Sequence, residues 1–457
     1  MAKKTSFVCS VFTVIATLFA SACSTPPAPP APQEPEIRTL TQQEVHDLMV
    51  GTCIQATRNC DSAALIEGAN QLLAEGKEFQ LIAPEDLPDD WTVVAASGGI
   101  GGGGAWEHVI DRTNGQNLPT IEDGTITAMN TLSDYLGTNF DAIIRNEAGA
   151  ATFAAFVSAT SIGVPLVDAC PAGRAKPEVQ QSVAFINGLS TTPAALVSSW
   201  GDVVILEKAI DDYRYEDIAR GVAVASGGRV SQARNVMSGA ELKRGTIHGM
   251  VSEAILLGRT VREARERNQD PIQALIDVTQ GYKLFQGIVT KSEPTGERGF
   301  SYSDVELKGT NEYDGHTYQV WVKNENMISW LDGEPDVMSP DLIYNLDPET
   351  GDAIAAGYLG GYPLDIEVAM VGRQAPSPVW RTEQAIEAIG PRHFGFDFDY
   401  VPIEELQQAR EALSSQEPPN IRRKLPHAIS AAHPGYPFSL VVRTRTGCSP
   451  NWGEVLV

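Results

Sequence analysis

The sequence predicts an α/β fold: a mainly parallel sheet domain with flanking helices, followed by a second domain that is helical and then β-rich. Two observations lead there. Between about residues 40 and 206, short apolar runs alternate with segments carrying helix-start signals, the pattern of a parallel sheet covered by helices. Beyond Leu284 the pattern changes to short, turn-punctuated segments of β character. A chain of 457 residues is long for one core, so two domains are expected.

In chain order, Thr41 with Glu44 three residues later is a capping box, opening a helix that runs toward Val50. Asp61 or Ser62 caps a second helix, apolar at Ala64, Leu65, Ala69, Leu72 and Leu73 and stopped by Gly76. Strands are expected at 79–83, 92–96 and 141–144. A small-residue helix then runs through Ala159, followed by the apolar run 164–167 and a further strand at 203–206. From Tyr213 to about Gln280 the pattern is helical, with Ile247, Val251 and Ile255 on one face and His248 as a structural or surface residue. Segments 299–307, 317–322 and 366–371 read as strands, with hairpin turns at 311–315 and 331–333. The expected organisation is an α/β domain over 38–202, a second domain over 203–403 and a C-terminal extension over 404–457, a charged helix followed by a Pro/Gly-rich tail.

The amino terminus reads as an export signal. Lys3 and Lys4 precede an apolar stretch, 7–19, of signal-peptide rather than membrane-span length. Ala20, Ser21 and Ala22 then precede Cys23, an arrangement that resembles a bacterial lipobox. On that reading 1–22 is a signal peptide, Cys23 is lipidated, and the Pro-rich stretch through 37 is an extended tether. The alternative is ordinary cleavage and a soluble secreted protein. The expected location is the bacterial cell envelope, lipid-anchored, facing the periplasm or on the outer membrane. A net charge of −24 argues against nucleic acid and anionic membrane surfaces as partners. Membrane contact is expected through the anchor only, and a small molecule as ligand or substrate. Outside the cytoplasm, Cys53, Cys60, Cys170 and Cys448 invite disulfides. Cys53 and Cys60 are near enough to close a small loop, with Cys170 the competitor. No Cys-x-x-Cys or His-x-x-x-His spacing marks a metal site. No cofactor is assigned.

The chemistry concentrates in 163–178, Gly-Val-Pro-Leu-Val-Asp-Ala-Cys-Pro-Ala-Gly-Arg-Ala-Lys-Pro-Glu. An apolar strand runs into a turn carrying Asp168, Cys170, Arg174 and Glu178, and ligands of open α/β sheets collect at the carboxyl ends of strands. The competing reading is a turn whose acids and arginine pair among themselves. Asn146 and Glu147 follow another strand. Glu147 paired with Asp168 would supply a base and an acid, although an acid there also suits a helix start. Arg174 would hold an oxyanion bidentately, or bridge to Glu178. Residues 98–104 contain a literal Gly-x-Gly-x-x-Gly, but 114–119 break the helix a nucleotide fold requires. Gly101 and Gly102 are therefore read as a loop able to approach a small ligand closely. Asn324 and Asn326 flank Glu325 at a predicted strand end, where a plain turn competes with ligand contact.

Segment 163–178 resembles the Val-Asp-Ala-Asp-Gly-x-Gly-Arg-Ala-x-Pro-Glu motif of the S-methyl-thiohydantoin desulfurase domain family, which is associated with hydantoin utilisation. Similar segments follow at 84–90, 237–241, 324–326, 340–342, 380–382, 390–397 and 399–402. The resemblance covers about 40–403. It implies a hydrolase acting on a small heterocyclic amide-like ring, releasing methanethiol and leaving a hydantoin. Asp168 or Glu147 would activate water, and Arg174 with backbone N–H groups would stabilise the developing charge. Two departures fall at the expected site. The family's Gly-Thr-Gly-Gly-Gly-Gly loop is replaced by 51–60, where a Cys53–Cys60 bridge would take over its role, and the motif's second acid is Cys170. These departures favour the alternative, a non-catalytic surface lipoprotein that binds a small molecule or protein.

Overall fold

The structure is a computed structural model that describes residues 35–58, 60–101, 103–113, 116, 118–355 and 361–414. The signal peptide, Cys23, most of the tether, Gly102, Cys448 and the tail lie outside the described residues.

Four short strands form the parallel centre of a nine-stranded sheet: Gln80–Ile82, Leu166–Val167, Ala142–Ile144 and Thr92–Ala95, in that spatial order. They are almost wholly apolar because helices cover both faces. Leu81, Ile143 and Val94 point into one core with Val45, Leu48, Met49, Met129 and Phe156. Ile82, Ala142, Ile144, Val93 and Ala95 point into the other, with Leu189, Met237 and Leu242. Antiparallel strands extend the sheet: Ile37–Thr39 on one edge, and Arg229–Ser238, Ala194–Ser198 and Val203–Leu206 on the other, with Gly99–Gly101 also pairing to Arg229–Ser238.

The expected boundary at 202/203 falls within this sheet, to which Val203–Leu206 and Arg229–Ser238 both belong. One expectation is corrected here. The stretch from Tyr213 to Gln280 is not continuously helical. It holds helices Asp212–Ala225, Gly239–Gly245, Met250–Glu266 and Pro271–Thr279, interrupted by the ten-residue strand Arg229–Ser238 and by the short strand Ile247–His248. His248 is thus on a strand rather than a helix, bonded to the carbonyl of Lys243.

The first helix, Gln42–Gln55, carries the expected capping box and runs past Val50 through Gly51. Gly51 and Gly258 let it cross Met250–Glu266 backbone to backbone: a Cβ on Gly51 would stand 1.7 Å from the Ala254 carbonyl oxygen, and one on Gly258 would stand 1.8 Å from that of Asp47. The far side of Met250–Glu266 packs on the second sheet, where Leu257 and Val261 meet Tyr344, Leu346 and Val371. That sheet has seven antiparallel strands, ordered Glu334–Met338, Glu325–Leu331, Thr317–Lys323, Phe300–Gly309, Tyr282–Glu297, Glu367–Arg373 and Leu342–Leu346. One of its hairpins turns at Asp332 and Gly333, both with positive φ (52° and 87°), as in a two-residue type I′ turn. Helix Ile403–Ser414 closes the described chain against it, with Ile403 in the core and Gln407 bonded to Asp336.

Candidate functional site

The parallel strands end on a cleft of about 900 Å³ that the second sheet closes from the other side. Strand Thr92–Ala95 delivers Ser97, and Ala142–Ile144 delivers Asn146 and Glu147. Ser97 fixes Asn146 through two bonds, its hydroxyl accepting the Asn146 backbone N–H at 2.7 Å and its carbonyl accepting the side-chain amide. The Asn146 Oδ1, buried at the cleft wall, has no hydrogen-bond partner among the described residues. After Cys170 the chain leaves regular structure and stays buried to residue 184. Its own polar bonds hold it: Lys176 Nζ donates to the carbonyls of Glu178 (3.0 Å) and Val179 (3.1 Å), and the Val179 N–H donates to Glu216.

Arg234 reaches the cleft from a bulge. Strand Arg229–Ser238 shifts register between Arg234 and Met237, and Asn235 there adopts φ 51°. Such an extra residue re-aims its neighbours. From the second sheet come Asn324, at φ 56° in the turn after Thr317–Lys323, and Glu325, the first residue of the next strand. Arg58 enters from the loop closed by the Cys53–Cys60 disulfide, whose Cα atoms are 5.0 Å apart. Its Nε donates to the Asn324 carbonyl.

The electrostatics centre on Glu147, Glu325 and Lys176. Glu147 accepts the Lys176 backbone N–H at 3.2 Å, and burial raises its carboxyl above the usual range against the pull of Lys176, Arg234 and Arg220. Burial, and then the nearby Glu147 charge, push Glu325 up to about 8, although Arg58, Arg174 and Lys176 oppose this. Burial and the adjacent Arg234 lower the Lys176 ammonium to about 8. Near neutral pH the site therefore holds a carboxyl that keeps its proton, a second whose ionisation burial resists, and an amine close to titrating. Glu178 is different in kind. Burial works against its charge, but His393 (2.8 Å) and Lys323 hold its carboxyl down to about 2. Among the described residues, no group of three or more His, Cys, Asp or Glu side chains is arranged to hold a metal ion.

The sequence-predicted residues divide. Asn146, Glu147, Glu178, Gly101 and Asn324 line the cleft. Asp168 does not share a site with Glu147. Its carboxylate accepts the N–H groups of Val251 (2.7 Å) and Ser252 (3.0 Å) and the Ser252 hydroxyl, capping Met250–Glu266, whose own N-cap Gly249 has no side chain to do so. Cys170 is a free, fully buried thiol that accepts the Gly173 N–H at 3.2 Å. Arg174, fully buried, clamps carbonyls of Ala175 (2.9 Å) and Pro340 (2.8 Å) and does not bridge to Glu178. Asn326 is fully buried, donating to the Ile343 carbonyl and accepting from Tyr362. These four join elements; they do not face the cleft. Lys176, Arg58 and Arg234 were not among the residues singled out, and Glu325 was weighed only with its two asparagine neighbours, a plain turn competing with ligand contact. Strand alternation held the signal for Glu325, because it and Asn326 must point to opposite sides.

Two family models match in series: the S-Me-THD-like N-terminal domain over residues 43–208 and the S-Me-THD-like C-terminal domain over 210–403. The chain belongs to the S-Me-THD-like family. This is the S-methyl-thiohydantoin desulfurase domain family whose motif the 163–178 segment resembles. The S-Me-THD-like fold is also that of a crystal structure of a protein from Chromobacterium violaceum, with a TM-score of 0.63 at 19% identity, over 80% of this chain and all of that one. No curated protein matches the chain. Within the S-Me-THD-like pair of domains the cleft draws on both: Ser97, Glu147 and Lys176 come from the N-terminal match, Arg234 and Glu325 from the C-terminal one.

Proposed function

We propose that this protein hydrolyses a small heterocyclic amide-like ring of the S-methyl-thiohydantoin type in the cleft between its two sheets. The observation that carries the reading is the Glu147–Glu325 pair beside Lys176: two carboxyl groups whose environment keeps one proton between them near neutral pH. Glu147 acts as the base, taking a proton from water as its oxygen adds to the ring carbon that bears sulfur. Glu325 holds the proton that passes to the departing sulfur. The carbon–sulfur bond breaks, the ring is left with a carbonyl, and methanethiol is released. Asn146 Oδ1, fixed and without a partner among the described residues, accepts a ring N–H. Lys176 and Arg234 sit where negative charge gathers on the ring during attack. Asp168 keeps its importance as the cap that fixes Met250–Glu266, not as the base. The envelope location and the Cys23 lipid anchor belong to the same proposal.

The test is methanethiol release from S-methyl-thiohydantoins by the purified full-length protein and by Glu147→Gln. Turnover by the parent, lowered about 10²–10⁴-fold in the variant, is expected. Tight ring binding with no turnover in either would overturn the hydrolase and leave the binding-protein reading.

A further inference from the structure

Among the described residues, Arg58 is a buried cation without a matching anion. It is 3% exposed, its Nη1 has no hydrogen-bond partner among them, and its Nε serves only a neutral carbonyl, that of Asn324. No described residue forms a salt bridge with it, and the acid acting on it is Glu325, which takes up a proton below about pH 8. Burial lowers its pKa only to about 10, so it stays charged. An unpaired buried charge is costly, and structures that keep one usually match it with an ion or ligand. The same corner of the cleft contains a helix N-terminus. Helix Ala150–Ile162 is 13 residues long, and its N-cap, Gly149, offers no side-chain acceptor. A Cβ on Gly149 would stand 3.0 Å from the Cβ of Ala56 and 3.8 Å from the Cys60 Sγ, so the helix starts against the loop that carries Arg58. Ala56, Arg58, Gly149, Ala150 and Ala151 all line the cleft. A positive helix end and an unmatched guanidinium, both lining this cleft and joined through the loop packed on Gly149, form an anion site.

We propose that the ligand carries, besides its ring, an ionised oxyanion arm that docks between Arg58 and the N-terminus of helix Ala150–Ile162. The proposal rests on the ring reading above only for the identity of the rest of the ligand. The Cys53–Cys60 disulfide has a positioning role in it: it closes the loop that brings Arg58 to the helix end. In a chain of net charge −24, a cation left unmatched at the base of a cleft makes selection for acidic ligands a local property, opposed by the rest of the surface.

Calorimetric titration of the full-length protein with four probes separates the two readings. The probes are hydantoin-5-acetic acid, its primary amide, succinate and inorganic phosphate. The acid is expected to bind at least tenfold tighter than the amide in the parent. Arg58→Gln should abolish that preference and Arg58→Lys should restore part of it, with circular dichroism confirming that both variants fold. Equal binding of acid and amide by the parent overturns the oxyanion arm and leaves the ring reading intact. Succinate or phosphate binding that depends on Arg58, with the amide not binding, upholds the arm and removes the ring. Failure of all four to bind, or an acid preference that survives Arg58→Gln, overturns the proposal.

Discussion

Glu325 is 9% exposed, opens a strand, and has an Oε2 with no partner. In the unfolded chain it ionises near pH 4.5; folded, it keeps its proton to about 8. The native state thus binds the extra proton throughout that window, and stability falls as pH rises across it. Glu325→Gln removes the titration. Its stability relative to the parent should be near level at pH 4 and higher by about 3–5 kcal/mol at pH 9, as read from urea denaturation at the two pH values. A difference that does not change with pH would show that Glu325 is ionised in the folded protein at neutral pH. Alkaline loss of activity near pH 8, to which the Glu147–Glu325 pair and the Lys176 ammonium both contribute, should become shallower in the same variant as the contribution of the pair is removed. At this scale the sequence was half legible. Asn146, Glu147 and Glu178 follow from strand ends, where ligands gather. Asp168 has the same placement, yet a helix beginning 82 residues later, at Met250, lacks a capping side chain and takes its carboxylate. No local pattern reveals a demand made at that distance.

Among elements, the crossing of Gln42–Gln55 over Met250–Glu266 fixes where the chain enters the loop that carries Arg58. The first helix leads directly into the Arg58 loop, and the second is the one Asp168 caps. Because Gly258 lies against the Asp47 carbonyl, Gly258→Ala must push the two backbones apart. Overpacking of this kind should cost about 1–3 kcal/mol or more in chemical denaturation, despite the better helix propensity of alanine. A stabilised variant would mean that the helices can separate freely. The first two helices, the parallel strands and the Asp332–Gly333 hairpin were readable because caps, apolar runs and turn residues act locally. Strand Arg229–Ser238 was not. It carries two arginines, a glutamine, an asparagine and two serines, several of them lining the cleft or bonded to neighbours, so polar contacts rather than apolar packing set its composition.

For the molecule as a whole, no described helix is long and apolar enough to cross a membrane; the attachment proposed is the lipid anchor at Cys23. Mass spectrometry of the mature protein should find residues 1–22 absent and a diacylglyceryl mass on Cys23. An unmodified Cys23 or an intact Met1 would reverse that expectation. The two-part organisation was legible from the change in pattern near Leu284, but its seam was not. A chain can leave a sheet, build helices and return to it, and only long-range pairing records the return. Arg229–Ser238, from the C-terminal family match, lies between Thr92–Ala95 and Ala194–Ser198, both from the N-terminal one. The interleaving makes the halves complementary fragments rather than modules. Expressed apart, 36–208 would lack a strand from the middle of its sheet, and 209–414 would present that strand with both edges bare. Each should be insoluble alone, and co-expression should return a stable nicked pair, seen as co-elution through size exclusion with only one fragment tagged. A half that is soluble and melts cooperatively by itself would show that the shared strand is dispensable.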